Sequence, residues 1–125
     1  MKEEVIVKFI EKSLLFKNRF YINVHGSDYS LNGTPDIITS DKSGTFLAIE
    51  VKAPKEQPRT TQWRRAIEIL NSKNNARIII AYDDFDIDKV DNYQLPIMKI
   101  NNIIGESEFE LLNSKLSQTT ELQLK

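Results

Sequence analysis

Thr45-Phe46-Leu47-Ala48-Ile49 has almost no polarity at either parity, and the run ends in Glu50-Val51-Lys52. Successive side chains of a strand point to opposite faces, so a segment that is apolar at both parities must be covered on both sides. This predicts a buried strand in a sheet flanked by helices. Glu50 and Lys52 lie two residues apart and share one face, while Val51 points the other way. An acid and a base at the end of such a strand are poor candidates for surface decoration.

The flanking segments supply the rest of the architecture. Residues 3–16 carry Ile6, Phe9, Ile10, Ser13 and Leu14 at helical spacing, with Asn18 as the stop. Phe20 to Val24 is aromatic and β-branched, which predicts a strand, and His25 to Thr34 is a polar, glycine-containing loop. Asp36 to Thr39 reads as a short strand. Asp41-Lys42-Ser43-Gly44 is a hairpin turn, making the strands around Asp36 and Glu50 antiparallel neighbours. After an irregular stretch with two prolines, Thr60 or Thr61 caps a helix to about Ser72, with Trp63, Ala66, Ile67 and Leu70 as its buried stripe. Ala76 to Tyr82 is a β-branched central strand, and the intervening helix makes it parallel to the Glu50 strand. Beyond it come an acidic segment with a helical turn, an edge strand over 95–100 containing Pro96, and a helix over 106–116. Phe109, Leu111, Leu112 and Leu116 are available to pack that helix, and the polar end from Ser117 to Lys125 is expected to fray. The fold class is α/β (α+β), a mixed central sheet flanked by helices in the order αβββαβ. The whole of residues 1–125 is expected to be one domain, with 83–125 extending the core at 3–82.

Composition narrows the chemistry. The chain has no cysteine, which excludes disulfide scaffolds, zinc-thiolate sites and cysteine nucleophiles. A metal would be held by oxygen ligands or by the single histidine, His25, and oxygen ligation favours magnesium or manganese over zinc. The opening Met1-Lys2-Glu3-Glu4 leads into an amphipathic pattern rather than an apolar leader, and no apolar run approaches the ~20 residues of a membrane span. A soluble, intracellular protein without a membrane or a small-molecule cofactor is expected. The formal net charge of −1 hides an uneven distribution. Lys52, Lys55, Arg59, Arg64 and Arg65 face only Glu56 between residues 52 and 65, whereas the chain from Tyr82 onward has nine acids and four lysines. A solvated loop and helix face explains the basic stretch as well as an anionic partner does.

The hairpin brings Asp36 toward Glu50, although the register cannot be read from the sequence. Two carboxylates supply hard anionic oxygens for a magnesium-type ion, and the Val51 carbonyl is placed to add another. Lys52 can orient a hydroxide or neutralise a phosphate, and the first helix can bring Glu3 or Glu4 toward the site. Such a set suits phosphodiester hydrolysis, in which water must be activated and phosphoryl charge stabilised. Taken singly the features are bland. Pro-Asp starts many turns, Glu-x-Lys on a strand is usually a surface ion pair, and a glutamine at a helix start usually bonds backbone. His25 is balanced between a loop hydrogen bond and a group facing the scissile phosphate. Trp63 reads as core or interface rather than a base-stacking platform.

The combination is more specific. Gly33-Thr34-Pro35-Asp36, the hairpin, Ile49-Glu50-Val51-Lys52-Ala53-Pro54 and Gln62 at the next helix start resemble the PD-(D/E)xK nuclease superfamily. Within it, the match is closest to the virus-type replication-repair nuclease (VRR-NUC) family, some phage members of which carry a His-Gly-Ser loop like His25-Gly26-Ser27. The resemblance implies a Mg2+-dependent endodeoxyribonuclease, with Mn2+ substituting. Asp36 and Glu50 would be ligands, and Lys52 would be catalytic with Gln62 supporting it. Glu3, three residues before Ile6, fits the first-helix glutamate better than Glu4. It further implies a homodimer similar to Holliday-junction resolvases, acting on branched DNA in replication, recombination or repair, and encoded by a phage or prophage. His25, Ser27, Lys55, Arg59, Arg64 and Arg65 are the expected DNA contacts. An inactive nucleic-acid-binding module and a site-specific restriction or homing endonuclease are the alternatives.

Overall fold

In the computed structural model, which describes residues 1–25, 31–72 and 75–125, β3 (Phe46–Val51) is buried at every position after Phe46. The fold order is α1 (Glu3–Phe16), β1 (Ile22–Asn23), β2 (Ile37–Ser40), β3, α2 (Thr60–Leu70), β4 (Arg77–Ala81), α3 (Ile87–Asp91), β5 (Ile97–Ile100), α4 (Glu106–Lys115) and β6 (Thr120–Leu124). The six strands form one mixed sheet in the order β1-β2-β3-β4-β6-β5, so the first six elements realise the αβββαβ order. β1–β2, β2–β3 and β4–β6 pair antiparallel, and β3–β4 and β5–β6 parallel.

Each face of the sheet has its own apolar layer. Leu47 and Ile49 of β3 join Ile37, Ile79 and the α1 residues Ile6, Ile10 and Leu14. Ala48 points the other way and joins Ile78, Ile80, Trp63 and Phe109 under α2 and α4. Covering a strand on both sides removes each large aliphatic side chain from water, at roughly 1.5–3 kcal/mol apiece. That accounts for the apolar run at both parities. Among the described residues no helix is long and apolar enough to cross a membrane.

Several expectations need correction. β1 spans two residues rather than Phe20 to Val24, with both side chains exposed at the sheet edge. α2 is flanked by Arg59 in extended conformation, and Thr60 and Thr61 are inside the helix. Leu111 is exposed, leaving Phe109, Leu112 and Leu116 to pack α4. The largest difference is at the end of the chain. The polar segment expected to fray becomes β6, inserted between β4 and β5. Leu122 supplies its apolar anchor, and Glu121 is buried because β4 carries a buried cation to meet it.

That cation is Arg77. Its guanidinium bonds both carboxylate oxygens of Glu121 at 3.0 and 2.6 Å, an Asp41 oxygen at 3.0 Å and the Val90 carbonyl at 3.0 Å. It also stacks 4.0 Å from the centre of the Tyr93 ring. Asp41 meanwhile closes the β2–β3 hairpin, accepting from the Ser43 and Thr45 amides and the Ser43 hydroxyl. Burial pushes the Asp41 carboxyl up. The bonds from Ser43, Tyr93, Thr45 and Arg77 outweigh burial and hold it well below the usual carboxylate range.

Removing one member of a buried charge network strands the others, so Arg77→Leu is expected to lower unfolding free energy by about 3–5 kcal/mol in urea titrations. The depressed Asp41 carboxyl stabilises the fold above about pH 4, its unfolded-chain range, and that contribution is lost as pH falls toward the folded value. Asp41→Asn should therefore flatten the loss of stability measured by urea unfolding below about pH 4.

Candidate active site

The ends of four elements converge on one cleft of about 480 Å³. Glu3 comes from the first turn of α1, Asp36 from the residue before β2, Glu50 from the end of β3, Lys52 just beyond it and Gln62 from the first turn of α2. The hairpin register, Ile37 opposite Ile49, leaves Asp36 beside the end of β3. There the Val51 amide donates to Asp36 Oδ2 at 2.7 Å. The amide and carbonyl of one strand residue point to the same side, so the Val51 carbonyl also faces Asp36 rather than β4. The β4 side is taken by the Lys52 amide, which donates to the Ala81 carbonyl at 2.9 Å.

Local chemistry fixes the loops that hold these groups. Gly33 has φ of +83°, and a Cβ there would stand 2.4 Å from the Thr61 carbonyl oxygen. Only glycine lets the turn before Asp36 lie against the start of α2. Gln62 bridges the same region, accepting from the Arg59 amide at 2.8 Å and donating to Glu50 Oε1 at 2.9 Å. One amide group thus bonds the helix start and Glu50 together, with no bond to Lys52 among the described residues.

The electrostatics are those of two carboxyls short of positive charge. Asp36 Oδ1 lies 2.6 Å from His25 Nδ1. Glu50 is 3 % exposed. Burial pushes its carboxyl up to about 9; the neighbouring Asp36 adds to that and Lys52 opposes it. The Lys52 ammonium is 3.9 Å from Glu50 Oε1, and its side chain is 7 % exposed. No hydrogen bond from that ammonium occurs among the described residues. Burial likewise raises Glu3; Lys52 opposes the shift, while Glu56 and Asp36 reinforce it.

Glu56, Gln57 and Arg59 also line the cleft, and the first two were missed from sequence. Tyr82 positions them: its hydroxyl donates to the Glu56 carbonyl at 2.8 Å. Gln57 is fixed by the Leu116 carbonyl at 3.1 Å. Both anchors lie far along the chain, and the prolines around the segment gave no periodicity to read.

The expected DNA contacts separate. His25 and Arg59 line the cleft, whereas Lys55, Arg64 and Arg65 are not among its lining residues. Arg65 bonds Glu68 and the Asn32 carbonyl, tying α2 to the turn before Asp36. Arg64 lies over the Phe109 ring. Lys55 is exposed, with φ of 71°. Gly26 and Ser27 lie outside the described residues. Glu4 is exposed, while Glu3 reaches the cleft. Among the described residues no three histidine, aspartate or glutamate side chains converge as a ready-made metal cage. Compared with known proteins, the chain matches no family model, no curated protein and no solved structure.

Two outcomes follow for stability. Gly33→Ala should cost about 2 kcal/mol or more, because backbone must move on both sides of the new methyl group. Circular dichroism during urea unfolding measures it. For Glu50, the raised folded-state value makes the native chain hold a proton that the unfolded chain releases above about pH 4. Stability should therefore fall as pH rises from there toward about 9. Glu50→Gln, which mimics the protonated side chain, should remove that slope and stabilise the protein at pH 8 by on the order of 1–2 kcal/mol. An unchanged slope would place the titration elsewhere.

Proposed function

We propose that the chain is a metal-dependent endonuclease that hydrolyses DNA phosphodiester bonds. The observation that carries this reading is the Lys52 ammonium, at the end of a buried side chain in the same cleft as the Asp36–Glu50 pair, with no hydrogen-bonding partner among the described residues. A surface ion pair needs neither the burial nor the second carboxylate.

Asp36 and Glu50, with the Val51 carbonyl on the same side, are the groups that would hold Mg2+ or Mn2+. The donor set fits, since magnesium is commonly held by one or two carboxylates and keeps several waters, so a three-residue cage is not required. Burial raises the Glu50 carboxyl, and a nearby divalent charge would favour its ionised form. Bound there, the ion supplies electrostatic stabilisation of the phosphoryl group and eases ionisation of the attacking water. Lys52 offsets charge on the phosphoryl oxygens or orients that water. Gln62 holds the Glu50 carboxyl in position. His25 orients the Asp36 carboxyl through their hydrogen bond. Arg59 at the cleft offers a phosphate contact. Glu3 stands close enough to Lys52 and Asp36 to act on the same charge.

The resemblance to the virus-type replication-repair nucleases suggests branched replication or recombination intermediates as substrate, an intracellular phage or prophage setting, and a homodimer. Paired incision across a junction suits two sites related by a two-fold axis.

The test is incubation of purified protein with end-labelled four-way junction, flap, linear duplex and single strand, in Mg2+, Mn2+ or EDTA. Cutting of a branched substrate with either metal, and none in EDTA, is expected. Asp36→Asn and Lys52→Ala should each lower the rate by about 100-fold or more while leaving junction binding in place. If no substrate is cut with either metal, the enzyme reading fails and a binding module of the same fold remains. Sequence-specific cutting of plain duplex would instead point to a restriction or homing type. Light scattering gives the oligomeric state.

A further inference from the structure

The far edge of the sheet carries a second feature, remote in sequence from the cleft and independent of the nuclease reading. β5 is the terminal strand, and among the described residues nothing pairs with its outer side. The Pro96 and Ile100 carbonyls accept from the β6 side, from the amides of Glu121 and Lys125. Backbone groups alternate in direction along a strand, so those of Ile97 and Lys99 point outward, unpaired. Beside that edge runs a groove of about 380 Å³ between β5 and the end of α4. Its apolar lining is Pro96, Ile97, Met98 and Leu112, and Ile97 is 53 % exposed.

Lys99, Lys115 and Lys125 also line the groove. These are three of the four lysines in the otherwise acidic part of the chain after Tyr82, brought together by folding. None of the three forms an ion pair among the described residues; Lys99 bonds only the neutral Gln123 side chain, at 2.7 Å. A smaller adjoining pocket shares all three lysines and includes Glu108, whose carboxylate accepts from the Asn101 amide at 3.1 Å.

We propose that this edge and groove bind an extended acidic peptide segment of another protein, which adds a strand to β5. Three features match that occupant. The outward amides and carbonyls of Ile97 and Lys99 supply the ladder, the apolar lining accepts alternate side chains, and the three ammonium groups select acidic neighbours. A second copy of this chain fits badly. A two-fold edge-to-edge contact would set the same lysines against their own mates. A DNA backbone would use the lysines but leave the apolar lining and the strand edge unmatched.

The test uses the full chain and a fluorescein-labelled peptide of alternating valine and aspartate, with an alternating valine and lysine peptide as control. Anisotropy should give saturable binding of the acidic peptide alone, weakened by salt. Amide chemical-shift changes should centre on 97–100 and 112–118. The triple variant Lys99→Glu, Lys115→Glu, Lys125→Glu changes only surface groups, and it should bind the acidic peptide at least about tenfold more weakly and gain affinity for the basic one. Ile97→Pro removes an outward amide and should weaken the peptide without altering the charge. Its folding is checked by circular dichroism, and the charge-reversal variant stands as evidence if it unfolds. Absence of binding at millimolar peptide overturns the proposal. So does equal binding of both peptides, duplex DNA shifting these residues in place of the peptide, or concentration-dependent self-association through β5. Because none of these groups lies in the cleft, the outcome is separate from whether the protein cuts DNA.

Discussion

Burial of β3 on both faces is the constraint from which the rest of the molecule follows. A strand without a wet side must have α1 on one face and α2 with α4 on the other, and its end brings polar groups to the margin of the core. Glu50 and Lys52 stand there, close to the helix starts that the same packing brings in. Beyond the last ladder pair of β2 and β3, the Val51 amide bonds the Asp36 carboxylate instead of a carbonyl. The cleft is thus the continuation of the hairpin by other means, with a side chain taking over from backbone.

The legible parts of the sequence are those governed by local rules. Helical spacing located α1, and the turn chemistry of Asp41 to Gly44 located the hairpin. The β-branched run after Ala76 located β4, and the helix before it implied parallel pairing with β3. The sequence-read site residues Glu3, Asp36, Glu50, Lys52 and Gln62 all reach one cleft. What escaped depends on distant partners. Glu121 looks like a solvent-facing acid until Arg77, forty-four residues away, is seen to neutralise it. Glu56 and Gln57 look like loop residues until Tyr82 and the Leu116 carbonyl fix their backbone and side chain. Charge in a linear stretch was a poor guide to the cleft, which Arg59 lines and the exposed Lys55 and Arg64 do not. Arg65 is spent on holding the turn before Asp36, and Arg64 lies over Phe109.

The two buried charge clusters are built on opposite principles. Around Asp41 and Arg77 every charge meets an opposite partner with directed hydrogen bonds, so the network ties hairpin, β4, β6 and the Val90 carbonyl of α3 together. In the cleft the acids outnumber the cations close to them, and burial raises Glu50, which accepts from Gln62 and stands 3.9 Å from the Lys52 ammonium. Local frustration of that kind weakens the fold, and natural proteins retain such cost where it serves a site. One network pairs each charge with an opposite one, and the other gathers several carboxyls around one ammonium.

The position of β6 has a consequence for how the protein is made. The strand that joins β4 to β5 follows both of them in the sequence, so neither the β5 edge nor the Arg77 network can be completed until residues 120–124 have been made. Until then β4 presents an open edge and a guanidinium without its Glu121 carboxylate. Pairings this distant in sequence also close slowly. Productive folding of the complete sheet therefore waits on β6, and the nascent chain passes through a stage in which chaperone protection of the β4 edge matters most.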